Sequence, residues 1–76
     1  MAREAVPPWR RVAADLRQRI ESGEWPPGGP LPTLETLAAE YRVGKSTARK
    51  AVASLQDDGL VVSYRGWGTF IKEPQD

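Results

Sequence analysis

Neither cysteine nor histidine occurs in the 76 residues of this chain. That double absence removes a disulfide framework, a Cys/His zinc site, a thiol nucleophile and an imidazole base. No apolar run approaches the ~18 residues that would span a bilayer. The opening "MAREAVPPW" carries charges where a signal peptide needs an apolar centre. No internal repeat and no linker is visible. A soluble intracellular protein is expected, holding no metal and no cofactor, and an enzyme is not, because suitable acid/base and nucleophile pairs are missing. The one adjacent pair of carboxylates, Asp57-Asp58, sits at a predicted helix end and reads as a solvated turn.

What is present is globular: 39% apolar and 28% charged residues, well away from the low-hydrophobicity composition of disordered chains. A domain of this length buries only ~60% of the surface its unfolded chain exposes, so one modest core is expected. The formal net charge of +1 hides an uneven distribution. Arg42, Lys45, Arg49 and Lys50 fall between Tyr41 and Gln56, a stretch without Asp or Glu. Carboxylates flank it at Glu35, Glu40, Asp57 and Asp58. Such a run is either a solvated helix face or a surface built for an anionic partner.

Trp9, Val12, Ala13, Leu16 and Ile20 recur at three- and four-residue steps, which predicts an amphipathic helix from Trp9 to Ser22 with Pro7-Pro8 in its first turn and Gly23 as its stop. "EWPPGGPLP" is too rich in Pro and Gly for helix; its one aliphatic, Leu31, can make a short edge pairing or a core contact. Thr33 offers an N-cap to a second, short helix ending near Tyr41, with Leu34, Leu37, Ala38 and Tyr41 on its apolar side. After the break at Arg42-Val43-Gly44, a third helix is expected from about Lys45 to Asp57, closed by Gly59. Ala48, Ala51, Val52 and Leu55 form its buried stripe. "LVVSYRGWGTFIK" reads as a hairpin with a Gly-x-Gly turn, Leu60, Val62 and Tyr64 sharing one face. Trp9 and Trp25 read as structural.

The segment "VGKSTARK" contains GKST, the ending of a nucleotide phosphate loop. A phosphate loop also needs a glycine separated by four residues from Gly-Lys, where this chain has Ala39, and a preceding buried strand, where it has the helical pattern "LETLAAEY". The phosphate of a nucleic-acid backbone suits the residues better. Two helices joined by a tight Gly-containing break, the second with an acid-free exposed face, describe a helix-turn-helix whose second helix enters the major groove. Opposite the buried stripe lie Ser46, Arg49, Lys50 and Ala53, at i, i+3, i+4 and i+7. The short residues let the helix backbone approach the groove floor while Arg49 and Lys50 reach base edges or phosphates. Free amides around Lys45 and Ser46 add a weak anion site. Arg49 is the preferred base reader because an arginine fork can bond a guanine edge twice; Thr47 can instead satisfy a helix-end amide, and Lys50 can be simply solvated. At the hairpin tip, "YRGWGT" projects Arg65 toward a minor groove or flanking phosphate. Trp67 either packs on sugar-phosphate or a partner, or folds back.

The text "VAADLRQRIESGEWPPGGPLPTLETLAAEYRVGKSTARKAVASLQDDGLVVSYRGWGTFI", nearly the whole chain, resembles the DNA-binding domain of the GntR family of bacterial transcription regulators. It matches that family's opening helix ending in Ser-Gly, Pro-Gly loop, Leu-Pro before the second helix, Val-Ser-Arg-x-Thr-x-Arg recognition helix and Gly-x-Gly-Thr-Phe wing. The start, "PPWRRVAADLRQRI", is most similar to the HutC-like branch. The resemblance implies an α+β, mainly α, winged helix-turn-helix of three helices and a C-terminal β-hairpin wing. It also implies DNA contact through Lys45, Ser46, Thr47 and Arg49, and through the wing at Arg65 and Gly66. Together with the reading of the residues, the candidate DNA-binding set is Thr33, Lys45, Ser46, Thr47, Arg49, Lys50, Arg65, Gly66 and Trp67. Three departures bear on site preference. Thr33-Leu34-Glu35-Thr36 stands where the family usually has Ser-Glu-Arg-Glu, so a DNA-contacting arginine is replaced by Glu35 and the reciprocal cap is lost. Gly44 replaces a serine cap, and Lys45 replaces an arginine fork.

Residues 1–76 are thus expected to form one domain, with an ordered core of about 8–73. Family members normally continue into a C-terminal domain that binds a metabolite and dimerises; the opening methionine and short tail favour a free-standing small regulator over an excised domain, and no small-molecule effector is expected to act on this chain. The expected function is sequence-specific binding of double-stranded DNA as a transcription regulator, a repressor in preference to an activator, acting in the bacterial cytoplasm on the nucleoid. Two copies are expected on a palindromic operator. Two alternatives stay open: an architectural or excision-type factor that bends DNA, and a winged helix whose basic face binds an acidic protein.

Overall fold

The computed structural model describes residues 6–73. Three helices are followed by a hairpin: α1 (Pro8–Glu21), α2 (Leu34–Tyr41), α3 (Lys45–Asp57), β1 (Val61–Tyr64) and β2 (Gly68–Ile71). The proline pair opens α1 as expected, with Pro8 in the first turn and the Pro7 carbonyl accepting from the Arg10 amide at 2.9 Å. Proline suits this position because its missing N–H would have no intrahelical acceptor anyway. The helix closes through the Ser22 amide, which donates to the Gln18 carbonyl at 2.9 Å.

Each helix turns its predicted stripe inward. Val12, Ala13 and Leu16 of α1 meet Ala48, Ala51, Val52 and Leu55 of α3, and Leu37 of α2 fills the space beneath them. Leu16, Leu37, Leu55 and Val61 are the largest side chains sealed from solvent, and burying each contributes about 1.5–3 kcal/mol. The alanines at positions 48 and 51 are fully buried. With only a methyl group at each, α3 can lie close against its neighbours.

The hairpin pairs antiparallel from Val61 opposite Ile71 to Tyr64 opposite Gly68. Strand alternation then sends Val61 and Ile71 into the core and leaves Val62 and Tyr64 on the other face. Leu31 makes both of the contacts the sequence allowed. It is buried, and its amide donates to the Thr69 carbonyl at 2.8 Å. Its segment lies along the free edge of β2: Gly28 and Gly29 both bond Ile71 across it, the Gly28 amide donating to the Ile71 carbonyl and the Ile71 amide to the Gly29 carbonyl, each at 2.8 Å. Pro30, opposite Phe70, is tolerated because this is an outer edge and no ladder donor is needed there. The Pro-Gly loop therefore ties the base of the wing to the helices.

Candidate nucleic-acid interface

The turn between α2 and α3 aims the third helix. Arg42 ends α2 in the left-handed conformation at φ 56°, and the Val43 amide bonds back to the Ala38 carbonyl at 2.9 Å. A non-glycine residue there costs about 1–2 kcal/mol, so the tight turn is held by the packing around it. Thr33 caps the other end of α2: its Oγ1 accepts from the Thr36 amide at 3.2 Å and bonds the Thr36 hydroxyl at 2.9 Å. The reciprocal carboxylate bond is missing, as the sequence implied, and a hydroxyl stands in its place. Gly44 caps α3 with no side chain, so α3 has no side-chain cap bond; its first intrahelical donor is the Ala48 amide, which reaches the Gly44 carbonyl at 3.1 Å.

From that start α3 exposes Lys45, Ser46, Arg49, Lys50 and Ala53, while Thr47 is half-buried beside the core. Among the described residues no carboxylate pairs with Lys45, Arg49 or Lys50. Lys50 is not simply extended into solvent. Its Nζ lies 5.3 Å from the centre of the Trp9 ring, and the Arg10 guanidinium lies 5.9 Å from the same ring. Trp9 itself is half-buried against the core, in keeping with its structural reading.

At the wing tip the Trp67 amide donates to the Tyr64 carbonyl at 3.0 Å across a turn whose third residue, Gly66, has φ 80°. A side chain would strain that conformation. Arg65, Gly66 and Trp67 are all exposed, Trp67 by 81%, so the indole does not fold back onto the domain. The arginine and the indole stand clear of the body, with Tyr64 and Phe70 stacked obliquely below them at 6.0 Å between ring centres.

A second arginine-centred cluster shares no residue with this surface, and the sequence reading missed it. Arg19 of α1 bonds Glu24 through Nε at 2.9 Å, the Tyr41 hydroxyl through Nη1 at 2.8 Å and Glu40 at 3.0 Å, and stacks 4.5 Å from the Trp25 ring centre. Its hydrogen bond to Glu24 is the main reason the guanidinium is held charged even more firmly than usual, and Glu24 is correspondingly held below the ordinary carboxylate range. Tyr41 also donates to Asp15. Burial, reinforced by that bond, pushes the Tyr41 phenol up to about 12. Trp25 is thus structural as read. Asp58, one of the paired carboxylates, bonds Arg17, which gives it a role in joining α1 to the end of α3. No periodic pattern announces these ties, because their partners are 5 to 41 residues apart; an aromatic set in the Pro-Gly loop just after the last basic residue of α1 was the available signal.

The model of the bacterial regulatory proteins of the gntR family matches residues 8–71. The chain belongs to the GntR family. This GntR-family chain is 37% identical over 67 residues to the mannosyl-D-glycerate transport/metabolism system repressor MngR of Escherichia coli, covering 88% of itself and 28% of that protein. It is 35% identical over 75 residues to the histidine utilization repressor of Pseudomonas putida, covering 99% of itself and 30% of that repressor. It therefore spans less than a third of the length of these curated relatives. Among solved structures it is similar to the AraR DNA-binding domain in complex with operator ORR3, with a TM-score of 0.86, 30% identity, and coverage of 93% of this chain and 86% of that one. The winged helix-turn-helix that the resemblance implied is the observed fold.

Proposed function

We propose that this domain is a transcription regulator that binds double-stranded DNA sequence-specifically, laying α3 in the major groove and the wing on the minor groove or backbone. The observation that carries the reading is the outer face of α3, where Lys45, Ser46 and Arg49 are exposed with no carboxylate partner among the described residues. Unpaired cations on a rigid helix are poised for an anionic surface, and short neighbours at Ser46 and Ala53 let that helix lie deep in a groove. The operator-bound AraR domain of the same fold supports DNA as the partner.

In this reading Arg49 reads a base edge with its two-pronged guanidinium. Lys45 and Lys50 bind phosphate; Ser46 and Thr47 supply hydroxyls and, with Lys45, the first amides of α3. Thr33, at the first turn of α2, adds a hydroxyl beside the groove wall. Arg65 enters the minor groove, Gly66 lets the tip come close, and Trp67 packs on sugar-phosphate. The protein acts as a binding module and not an enzyme. It works in the bacterial cytoplasm as a repressor that occludes a promoter, two copies occupying a palindrome with half-sites about one helical turn apart. No helix among the described residues is long and apolar enough to cross a membrane.

Selecting bound sequences from a random duplex pool tests this reading. A recovered two-fold symmetric motif with a fixed spacing is expected. Recovery of unrelated sequences, with strong bending in permuted-site gel shifts, favours an architectural factor instead. On the recovered site, Lys50→Ala is expected to weaken operator and random duplex equally and to lower the salt dependence of binding.

A further inference from the structure

The cluster at the start of α1 is an oddity that the groove-reading face of α3 does not account for. Trp9 holds two cations beside one indole: Lys50 from α3 at 5.3 Å and Arg10 from α1 at 5.9 Å from the ring centre. Arg10 and Lys50 are both exposed. Among the described residues neither is paired with a carboxylate; the ion pairs of the domain are made by Arg17 and Arg19 further along α1. Two like charges gathered at one ring repel each other, and among the described residues no carboxylate pairs with either. The indole can hold each of them by cation–π attraction, but it does not neutralise them. An anion lying across the pair would. Lys50 also belongs to the outer face of α3, next to Arg49, so the ring and both charges border the surface assigned to DNA.

We propose that Trp9, Arg10 and Lys50 form a clamp for a DNA backbone phosphate flanking the groove in which α3 lies. The inference rests on the DNA-binding reading above and extends the interface to α1, outside both the helix-turn-helix and the wing. Lys50 and Arg10 supply the charge. Trp9 is a positioning residue: anchored in the core on one side, it fixes where the two cations stand and so lowers the entropy lost when they grip phosphate. A contact of this kind carries no base information. It sets how strongly and in which register the domain docks.

The test uses the full 76-residue chain and a duplex selected by the wild-type protein, with a random duplex of equal length beside it, titrated at several salt concentrations. Each phosphate neutralised on B-DNA contributes about 0.9 to the slope of log K against log salt. Arg10→Gln, which leaves Lys50 on the phosphate, is expected to lower the steepness of that slope by up to about 0.9 and to weaken both duplexes by the same factor, with Arg10→Lys restoring the slope. Arg11→Gln, which removes a neighbouring exposed charge that touches no aromatic ring, is expected to leave it in place. Trp9→Leu keeps the apolar anchor and is expected to weaken both duplexes equally; circular dichroism confirms its folding, and the arginine variants decide the matter if it does not fold. An unchanged slope for Arg10→Gln, or an equal loss for Arg11→Gln, overturns the clamp while leaving α3 as the reader. Absence of any wild-type binding to duplex at low salt sinks both readings together.

Discussion

Two arginines on neighbouring helices show how partners decide what a charge is for. Arg19 is surrounded by acceptors: Glu24, Glu40 and the Tyr41 hydroxyl bond its guanidinium while Trp25 stacks on it, and its side chain is only 20% exposed. Arg49 has the same chemistry and none of these partners; it stands exposed on α3. The first arginine ties α1, the Pro-Gly loop and α2 into one body. The second has no carboxylate partner among the described residues. A count of basic residues treats the two alike, whereas the geometry ties one into the fold and leaves the other exposed, as the proposed DNA-reading role requires.

That division can be broken from beneath by removing the core both regions share. Leu55 is completely buried under α3, and Leu55→Ala is expected to cost about 2–5 kcal/mol. In a domain this small such a loss brings most of the chain to the edge of unfolding. Thermal melts followed by circular dichroism read it directly. A change of less than about 1 kcal/mol would mean that α3 is not packed as described.

The sharper tests separate the two arginines. Arg49→Ala is expected to cost about 1–3 kcal/mol of binding on the selected site, with a smaller effect on random duplex and little change in melting temperature. Arg19→Ala should do the reverse. Losing the Tyr41 bond and the stack on Trp25 is expected to lower stability by about 1–2 kcal/mol, while the remaining folded molecules bind DNA as before. Equal effects of both variants on both measurements would erase the distinction.

The smallest effect is a titration. The Tyr41 phenol is raised to about 12, chiefly by burial and then by its bond to Asp15. A group whose folded-state pKa is raised contributes stability that is whole below its unfolded value of about 10 and is lost as pH climbs through the folded one. Stability is therefore expected to decline between about pH 10 and 12, and Tyr41→Phe should remove that part of the decline. Phenolate absorbance followed with pH should show a component near 12 in the parent protein that the variant lacks.

Much of this was legible in the residue order because the relevant signals are periodic or local. The apolar steps of α1 and α3 were enough to place both helices within a residue, and Gly-x-Gly between two β-branched runs located the wing. Because Ala48, Val52 and Leu55 define an inner stripe, the exposed positions of Ser46, Arg49 and Lys50 followed from helical geometry alone. The Arg19 cluster was not legible. Asp15 and Arg19 share one face of α1 at i, i+4, but Glu24 comes from a loop and Tyr41 from a second helix, and no spacing rule brings those two to Arg19. Lys50 was placed on the correct face, yet its lean onto Trp9 depends on how closely α1 and α3 pack, which their separate periodicities do not reveal. The side of the hairpin that faces the core was likewise decided by tertiary packing: Val61 and Ile71 turn inward because α3 ends directly behind them.

The central claim is that the outer face of α3, and not the Arg19 side of the domain, meets the duplex. Backbone amide shifts recorded while a selected duplex is titrated into isotopically labelled protein test it most directly. Shifts are predicted at Lys45 through Ala53 and at Arg65 through Gly68, with Arg19, Trp25 and Tyr41 little changed. Shifts confined to the Arg19 side, or a spectrum that does not respond to duplex, would contradict the account.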